Sequence, residues 1–324
     1  MIDWDDPTMV GRNGVRIATY EIGEGPAVVF CHGFPELAFS WHAILPVVAE
    51  AGFRAIALDQ RGYGASDCPP NVEDYAVTEL AADAVAAIDA LGIDEAVFVG
   101  HDWGSPVVWA TALCHRNKVA GVVAVNNPYR PAGPVDPLQA LRDDWGDDHY
   151  IVNFHNRGPD DPESSDARFG AAVEQVFRGL YRASLFDMAA FAALPKEQRT
   201  LQMEPIVFAP DPPGRFVLTE DELARFVAAF ERTGFTPGIN WYRNISANWQ
   251  ALKDLDPHID APCLMIEVTG DPSGPPGSSA DMAPFIADLE STVIADCGHW
   301  TQHEKPDELS AILVDWLTRR HRDA

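Results

Sequence analysis

The stretch Val99-Gly-His-Asp-Trp-Gly-Ser105 sets a carboxylate, Asp102, between two glycines, each two residues away. A small residue on either side of a nucleophile is the pattern of a sharp strand-to-helix turn that lifts one side chain clear of the backbone, and that side chain is usually a serine. A serine attacking a saturated carbon would end as an ether, with no carbonyl for water to attack. A carboxylate ends as an ester, which activated water can cleave at its carbonyl. Asp102 at this position therefore implies alkyl transfer followed by hydrolysis. Its competing use is to cap the helix that begins near Trp103.

Ester hydrolysis needs a base, an acid to orient it, and donors for the oxyanion. His299, in Ser291-Thr-Val-Ile-Ala-Asp-Cys-Gly-His299, follows the last apolar run, and Gly298 supplies a turn. Asp271 follows the run Cys263–Val268 and is placed to fix the imidazole tautomer. The other position for such an acid, the end of the run 121–125, holds Asn126 and Asn127, which carry no charge. His32-Gly-Phe-Pro35 directly follows the run 27–31, which brings the Phe34 N–H towards the Trp103 N–H as a pair of oxyanion donors. His32 reads as a loop brace, His101 as structural, and His303 as a polar surface residue or helix start.

The leaving group decides the remaining chemistry. A halide departs as an anion and suits indole or amide donors, whereas an epoxide oxygen becomes a tethered alkoxide and suits an acidic O–H. A phenol, with a pKa of about 10, can donate to it. Tyr150 and Tyr242 stand near opposite ends of a segment rich in proline, acids and aromatics, as two donors over one site would require. Aromatic packing is the other use of each, and spacing alone does not bring the two together.

These groups need a rigid platform. Short apolar runs at 27–31, 54–58, 96–100, 121–125, 263–268 and 291–295, separated by helix-length segments, imply an α/β fold with a mostly parallel, doubly covered sheet. Asn13-Gly14 suits a hairpin between strands near 8–12 and 15–21. Thr78–Gly92 reads as an outer helix, with Thr78 as its cap and Gly92 as its stop. The expected division is a core at 1–127, an inserted helical cap at 128–245, and the rest of the core at 246–324. Within the cap, Thr219-Glu-Asp-Glu222 fits a capping box and Gly234 a helix stop. Trp109, Phe186, Phe191, Leu194 and Trp249 are candidate pocket walls between cap and sheet.

Composition narrows the partners. A net charge of −26 opposes nucleic acid and anionic membranes, and no apolar run reaches the roughly 18 residues of a membrane span. The acidic, unhydrophobic start reads as a cytoplasmic protein without a signal peptide. Five scattered cysteines with no C-x-x-C pair read as small buried hydrophobes. Nothing in the sequence calls for a metal or cofactor, and nothing in it sets an oligomeric state.

His32–Glu36 (HGFPE), Asp59–Asp67 (DQRGYGASD), Gly100–Gly104 (GHDWG), Gly234–Asn244 (GFTPGINWYRN) and Asp296–Pro306 (DCGHWTQHEKP) together resemble the α/β-hydrolase-fold epoxide hydrolases over nearly the whole chain. The resemblance implies Asp102 as nucleophile, His299 as base and Asp271 as its acid. It also implies Tyr150 and Tyr242 as ring-opening donors, Phe34 and Trp103 as oxyanion amides and walls of the substrate site, and a cis Phe34–Pro35 bond. The substrates would be a small epoxide and water. The chain departs from the family pattern at Phe154–Gly158 and at Pro272–Gly277. Haloalkane dehalogenases share the aspartate and the following tryptophan but usually add a tryptophan or asparagine halide donor, where Phe34 has none. Fluoroacetate dehalogenases want arginines after the nucleophile, where this chain has Trp103 and Ser105. A non-catalytic binding relative need not keep Asp102, Asp271 and His299 together.

Overall fold

The computed structural model describes residues 2–183, 185–195 and 198–321. Among the described residues ten strands can be numbered in chain order: β1 Thr8–Arg12, β2 Val15–Ile22, β3 Ala27–Cys31, β4 Arg54–Asp59, β5 Ala96–His101, β6 Val119–Val125, β7 Arg182–Ala183, β8 Arg215–Phe216, β9 Cys263–Val268 and β10 Leu289–Ile294. Eight of them form one sheet in the order β1-β2-β4-β3-β5-β6-β9-β10. The β1–β2 hairpin and the β2–β4 pair are antiparallel, and every other neighbour is parallel. The hairpin turns at Asn13 and Gly14, both at positive φ, as the sequence pattern predicts.

Every residue of β3, β5 and β9 is buried, because helices cover both faces. Alternate side chains then feed two cores. Val29, Phe98, Val122 and Met265 pack on one side with the helices Val77–Ala90 and Gly104–Cys114. Val28, Phe30, Val99 and Ile266 pack on the other with Trp41, Leu45 and Trp316. The parallel strands β3, β5, β6 and β9 run in one direction, so the loops after them open at one edge, where polar side chains can meet.

Between β6 and β9 the chain is chiefly short helices, among them Pro137–Trp145, Tyr150–Asn156, Glu220–Thr233, Thr236–Arg243 and Ile245–Leu252. The Thr219 capping box forms, with Glu222 Oε2 2.6 Å from the Thr219 N–H, and Gly234 at φ 68° ends that helix. A two-residue antiparallel pair, β7 with β8, lies in this segment, where no strand pattern is visible.

Three local expectations change. The helix expected to start behind Thr78 runs Val77–Ala90 from Ala76 with no side-chain cap of its own. Its first N–H, that of Val77, is met instead by Asn248 Oδ1 at 2.9 Å, a partner too remote in sequence to be read locally. The last sheet strand begins at Leu289 because it pairs from Cys263 onwards. Among the cysteines, Cys31, Cys263 and Cys297 are buried, but Cys68 and Cys114, the latter at the end of the helix Gly104–Cys114, are exposed. No described helix is long and apolar enough to cross a membrane.

Candidate active site

Asp102 sits between β5 and the helix Gly104–Cys114 at φ 48°, a left-handed conformation that costs a non-glycine residue strain and turns its side chain away from the strand. Both flanking glycines are required by space: a Cβ on Gly100 would lie 2.3 Å from Gly104 O, and one on Gly104 2.0 Å from Cys31 O. The capping use of Asp102 fails on geometry. The helix has no side-chain cap, and the Ser105 N–H bonds to the backbone oxygen of Asp102. The carboxylate is free to face the cavity.

Its Oδ1 accepts the Phe34 N–H at 2.8 Å, across a loop whose Phe34–Pro35 bond is cis. Trp103 contributes the N–H next along the chain, and no hydrogen bond uses it among the described residues. Its Oδ2 lies 3.8 Å from His299 Nε2. The opposite ring nitrogen, Nδ1, donates to Asp271 Oδ2 at 2.7 Å. Burial pushes Asp102 up from its ordinary value, and His299 and the Phe34 N–H offset part of that push. Asp271 is also buried, yet His299 and its hydrogen bonds hold it well below the carboxylate range. Burial alone would lower His299, but Asp271 and then Asp102 overcome it and raise the imidazole to about 10. The centre therefore sets a histidine with a raised pKa between two carboxyl groups, Asp271 held down and Asp102 pushed up.

Asn126 joins this group, although the sequence reading set it aside as uncharged. It is fully buried at φ 72° immediately after β6. Its Nδ2 donates to Asp271 Oδ2 at 2.6 Å and to His299 O at 3.0 Å, and its Oδ1 accepts from Thr301 at 2.8 Å. A second buried group lies beneath: Glu36 accepts from the Gly33 N–H at 2.8 Å, from Gln302 at 2.5 Å, and from His101 Nδ1 at 2.7 Å. His101 Nε2 in turn donates to His299 O at 2.7 Å. His101 holds Glu36 down at about 2 against its burial. A glutamate inside an otherwise apolar loop was the available signal for Glu36. Asn126 announced itself only by its place at a strand end.

His32 is the loop brace expected, Nδ1 against Gly33 O at 2.9 Å and Nε2 accepting the Gln60 N–H at 3.1 Å. His303 is not a surface residue but lies in the short helix Thr301–Glu304, the other use its sequence offered. Its Nε2 is buried without a partner, its ring packs on Tyr181 at 5.5 Å, and burial lowers it to about 4.

Tyr150 opens the helix Tyr150–Asn156, and Tyr242 lies near the end of Thr236–Arg243. Their rings stand edge to face at 5.8 Å, and both line the same cavity as Asp102 and Trp103. Burial, and then the neighbouring negative charge, raises both phenols, so both stay protonated donors. The unusual segment Phe154–Gly158 is what ties the two helices together. His155 Nε2 donates to Tyr242 O at 2.6 Å, and Arg243 donates to Phe154 O at 3.0 Å and Arg157 O at 2.9 Å while holding Asp166 at 2.7 Å. The unusual loop after Asp271 is likewise anchored, Glu267 accepting the N–H groups of Gly277 at 2.9 Å and Ser279 at 2.6 Å.

The cavity measures about 760 Å³, enough for a small organic molecule, and Trp109 and Trp249 line it as expected. Phe186, Phe191 and Leu194 do not. Phe191, on the short helix Met188–Ala193, stacks on Trp145 at 5.3 Å and meets Phe186 at a tilt at 5.1 Å, and Leu194, just past that helix, is exposed. Phe34 is buried beside the cavity, its ring 5.3 Å from that of Tyr242, and presents its N–H to Asp102. Among the described residues no group of histidines, cysteines and acids is arranged to hold a metal ion.

A carboxylate on a strand-to-helix turn, faced by an acid-held histidine at the edge of an eight-stranded sheet, is the layout of one broad class of enzymes. Residues 26–306 match the family described as alpha/beta hydrolase fold, and the chain belongs to that family. It is 38% identical over 309 residues to bifunctional epoxide hydrolase 2 of Mus musculus, covering 94% of this chain and 54% of the mouse protein, so it spans about half that relative's length. It is 37% identical over 318 residues to epoxide hydrolase A of Mycobacterium tuberculosis, covering 96% of each. The crystal structure of epoxide hydrolase A from Mycobacterium thermoresistibile superposes with a TM-score of 0.83 at 35% identity, over 96% of this chain and 98% of that one.

Proposed function

We propose that this protein is an epoxide hydrolase that converts an epoxide and water into a vicinal diol through an ester on Asp102. The observation that carries the reading is the presence of two protonated phenols, Tyr150 and Tyr242, in one cavity with a carboxylate that is not a helix cap. The names of the relatives support the same activity. In this reading residues 128–245 act as a cap that brings the phenols over the core.

The phenols hydrogen-bond the oxirane oxygen while an Asp102 oxygen attacks a ring carbon. One C–O bond forms, the ring C–O bond breaks, and the alkoxide takes a phenolic proton that solvent replaces. His299, which loses its proton to solvent once the ester has removed the Asp102 charge, takes a proton from water, and the resulting hydroxide adds to the ester carbonyl. The Phe34 and Trp103 N–H groups stabilise the oxyanion, each by about 3 kcal/mol. Collapse releases the diol, whose oxygen takes the His299 proton, and leaves Asp102 as a carboxylic acid that passes its proton to His299, restoring the carboxylate and the imidazolium. Asp271 and Asn126 hold His299 in the tautomer this step needs.

The test is a single turnover of an aryl epoxide in ¹⁸O-water, followed by mass analysis of the peptide holding Asp102. Label in that peptide, with unlabelled diol oxygen, is expected. Label passing straight into the diol would overturn the scheme, and halide release from a haloalkane without diol formation would favour a dehalogenase.

A further inference from the structure

Tyr181 is fully buried, yet it does not line the cavity. It follows the helix Val173–Leu180 in the segment outside the sheet, where its backbone oxygen accepts the Val217 N–H at 3.0 Å. A buried phenol needs an acceptor for its O–H, because leaving that group bare is costly. The hydroxyl donates to Pro35 O at 2.8 Å.

That carbonyl stands at the tip of the turn that carries the Phe34 N–H. The turn is closed below its tip by its own bonds: the Glu36 N–H reaches Gly33 O at 3.2 Å, and the Glu36 carboxylate accepts the Gly33 N–H at 2.8 Å. Phe34 and Pro35 are the two residues enclosed, and a proline has no N–H with which to fix the tip from within. Among the described residues no donor other than the Tyr181 hydroxyl reaches the Pro35 carbonyl.

The same ring supports the opposite side of the site. It lies flat on Trp300, with ring centroids 3.9 Å apart and planes 10° from parallel. The Trp300 indole donates to Leu180 O at 2.6 Å, so Leu180 and Tyr181 together fix that indole in place. Trp300 in turn stands edge to face against the His299 imidazole, at 4.7 Å and 85°. One side chain thus bonds the Phe34–Pro35 turn directly and reaches His299 through a single ring.

Building on the ester mechanism above, we propose that Tyr181 is a positioning residue for ester breakdown, holding the oxyanion turn and the base loop in register from the segment outside the sheet. Breakdown is the step that depends on this register. Hydroxide formed beside His299 adds to a carbonyl whose oxygen must meet the Phe34 N–H at hydrogen-bond distance. Ring opening depends chiefly on Tyr150 and Tyr242, whereas the Tyr181 ring packs with Phe177, Phe226, Trp300 and His303.

Two substitutions separate the contacts: Tyr181→Phe removes the bond to Pro35 and keeps the stack on Trp300, and Tyr181→Leu removes both. Quenched-flow mass analysis of the Asp102 ester, with an aryl epoxide as substrate, reads formation and breakdown separately. Breakdown is expected to slow about ten-fold in Tyr181→Phe and further in Tyr181→Leu, with formation within about two-fold of native. Phe226→Leu is the control, since Phe226 packs on Tyr181 at 5.2 Å but bonds neither loop; it should lower Tm and keep the native ratio of the two rates. Equal slowing of both steps in Tyr181→Phe, an unchanged breakdown rate, or the same change of ratio in Phe226→Leu would overturn the role. Hydrogen exchange supplies a readout that needs no turnover: peptides spanning residues 32–36 and 298–302 should both exchange faster in Tyr181→Leu, and unchanged protection of either would also overturn it. If the native protein opened no epoxide, the activity assignment would fall, and the exchange result would still decide whether Tyr181 holds the two loops.

Discussion

Neutralising Asp102 is expected to bring His299 down from about 10 to about 7. The His299 Nε2 and Asp102 Oδ2 atoms are 3.8 Å apart. At that distance, and at the effective dielectric of about 20 suited to a protein site, two unit charges attract by about 4 kcal/mol, which corresponds to about three pH units. An imidazole with a pKa of about 10 is a cation at neutral pH and cannot accept a proton from water. Ester formation removes the Asp102 charge, so the first half of the reaction would release the base that the second half needs. Asp102→Asn imitates the neutral ester. Titration of ¹³C-labelled histidine by NMR should show His299 at about 10 in the native protein and near neutrality in Asp102→Asn. The linked stability has a definite sign. A raised folded-state value contributes stability that is fully present below the unfolded value of about 6.5 and is lost as pH rises through about 10. Asp102→Asn should move that alkaline loss towards neutral pH. A His299 that still titrates above about 9 in Asp102→Asn would refute the reasoning and assign the whole elevation to Asp271.

Replacing Tyr150 or Tyr242 by Phe should slow ester formation by about a hundred-fold, the worth of one preorganised donor, while leaving ester breakdown near its native rate; stopped-flow tryptophan fluorescence separates the two steps. Asn126→Gly tolerates the left-handed backbone and removes the amide 2.6 Å from Asp271, so ester breakdown should slow by about 1–3 kcal/mol with ester formation less affected. Equal slowing of both steps would show a general distortion instead. His299→Gln should accumulate a covalent adduct that intact-mass analysis detects, and no adduct would count against Asp102 as the attacking group. Arg243→Met should cost about 3 kcal/mol in urea unfolding, since it leaves Asp166 buried without its partner.

Legibility in the sequence followed the range of the forces involved. The elbow at Asp102 was readable because Gly100, Asp102 and Gly104 act on one another over five residues. The buried strands were readable because a sheet covered on both faces leaves unbroken apolar runs. Asn126 was not, because its bond to Asp271 spans 145 residues and exists only because β6 and β9 are neighbours in the sheet. The Val77 cap spans 171 residues and escaped for the same reason. The helix position of His303 is local and readable, but its burial is not, because its polar neighbours suggest solvent while Tyr181 and Phe226, from a different part of the chain, cover it. Phe186, Phe191 and Leu194 do not line the cavity because the helix Met188–Ala193 is too short to declare which face turns inward, and Phe186 and Leu194 lie just outside it, where no periodicity fixes a direction.

The same division by range bears on how the two half-reactions fail. The groups proposed for ester breakdown, namely Phe34, Asn126, Asp271 and His299, all stand on loops at one edge of the sheet, and hydrogen bonds of 2.6–3.0 Å link Phe34 to Asp102, and Asn126, Asp271 and His299 to one another. The groups proposed for ring opening stand on two helices outside the sheet, joined through His155, Phe154, Arg157 and Arg243. Loosening that outer junction moves Tyr150 relative to Tyr242 without touching the contact between His299 and Asp271. Arg243→Met should therefore lose ester formation more than ester breakdown, whereas Asn126→Gly should do the reverse. If both variants slowed the same step, the two sets of side chains would be mechanically one unit, and assigning them to separate halves of the reaction would fail.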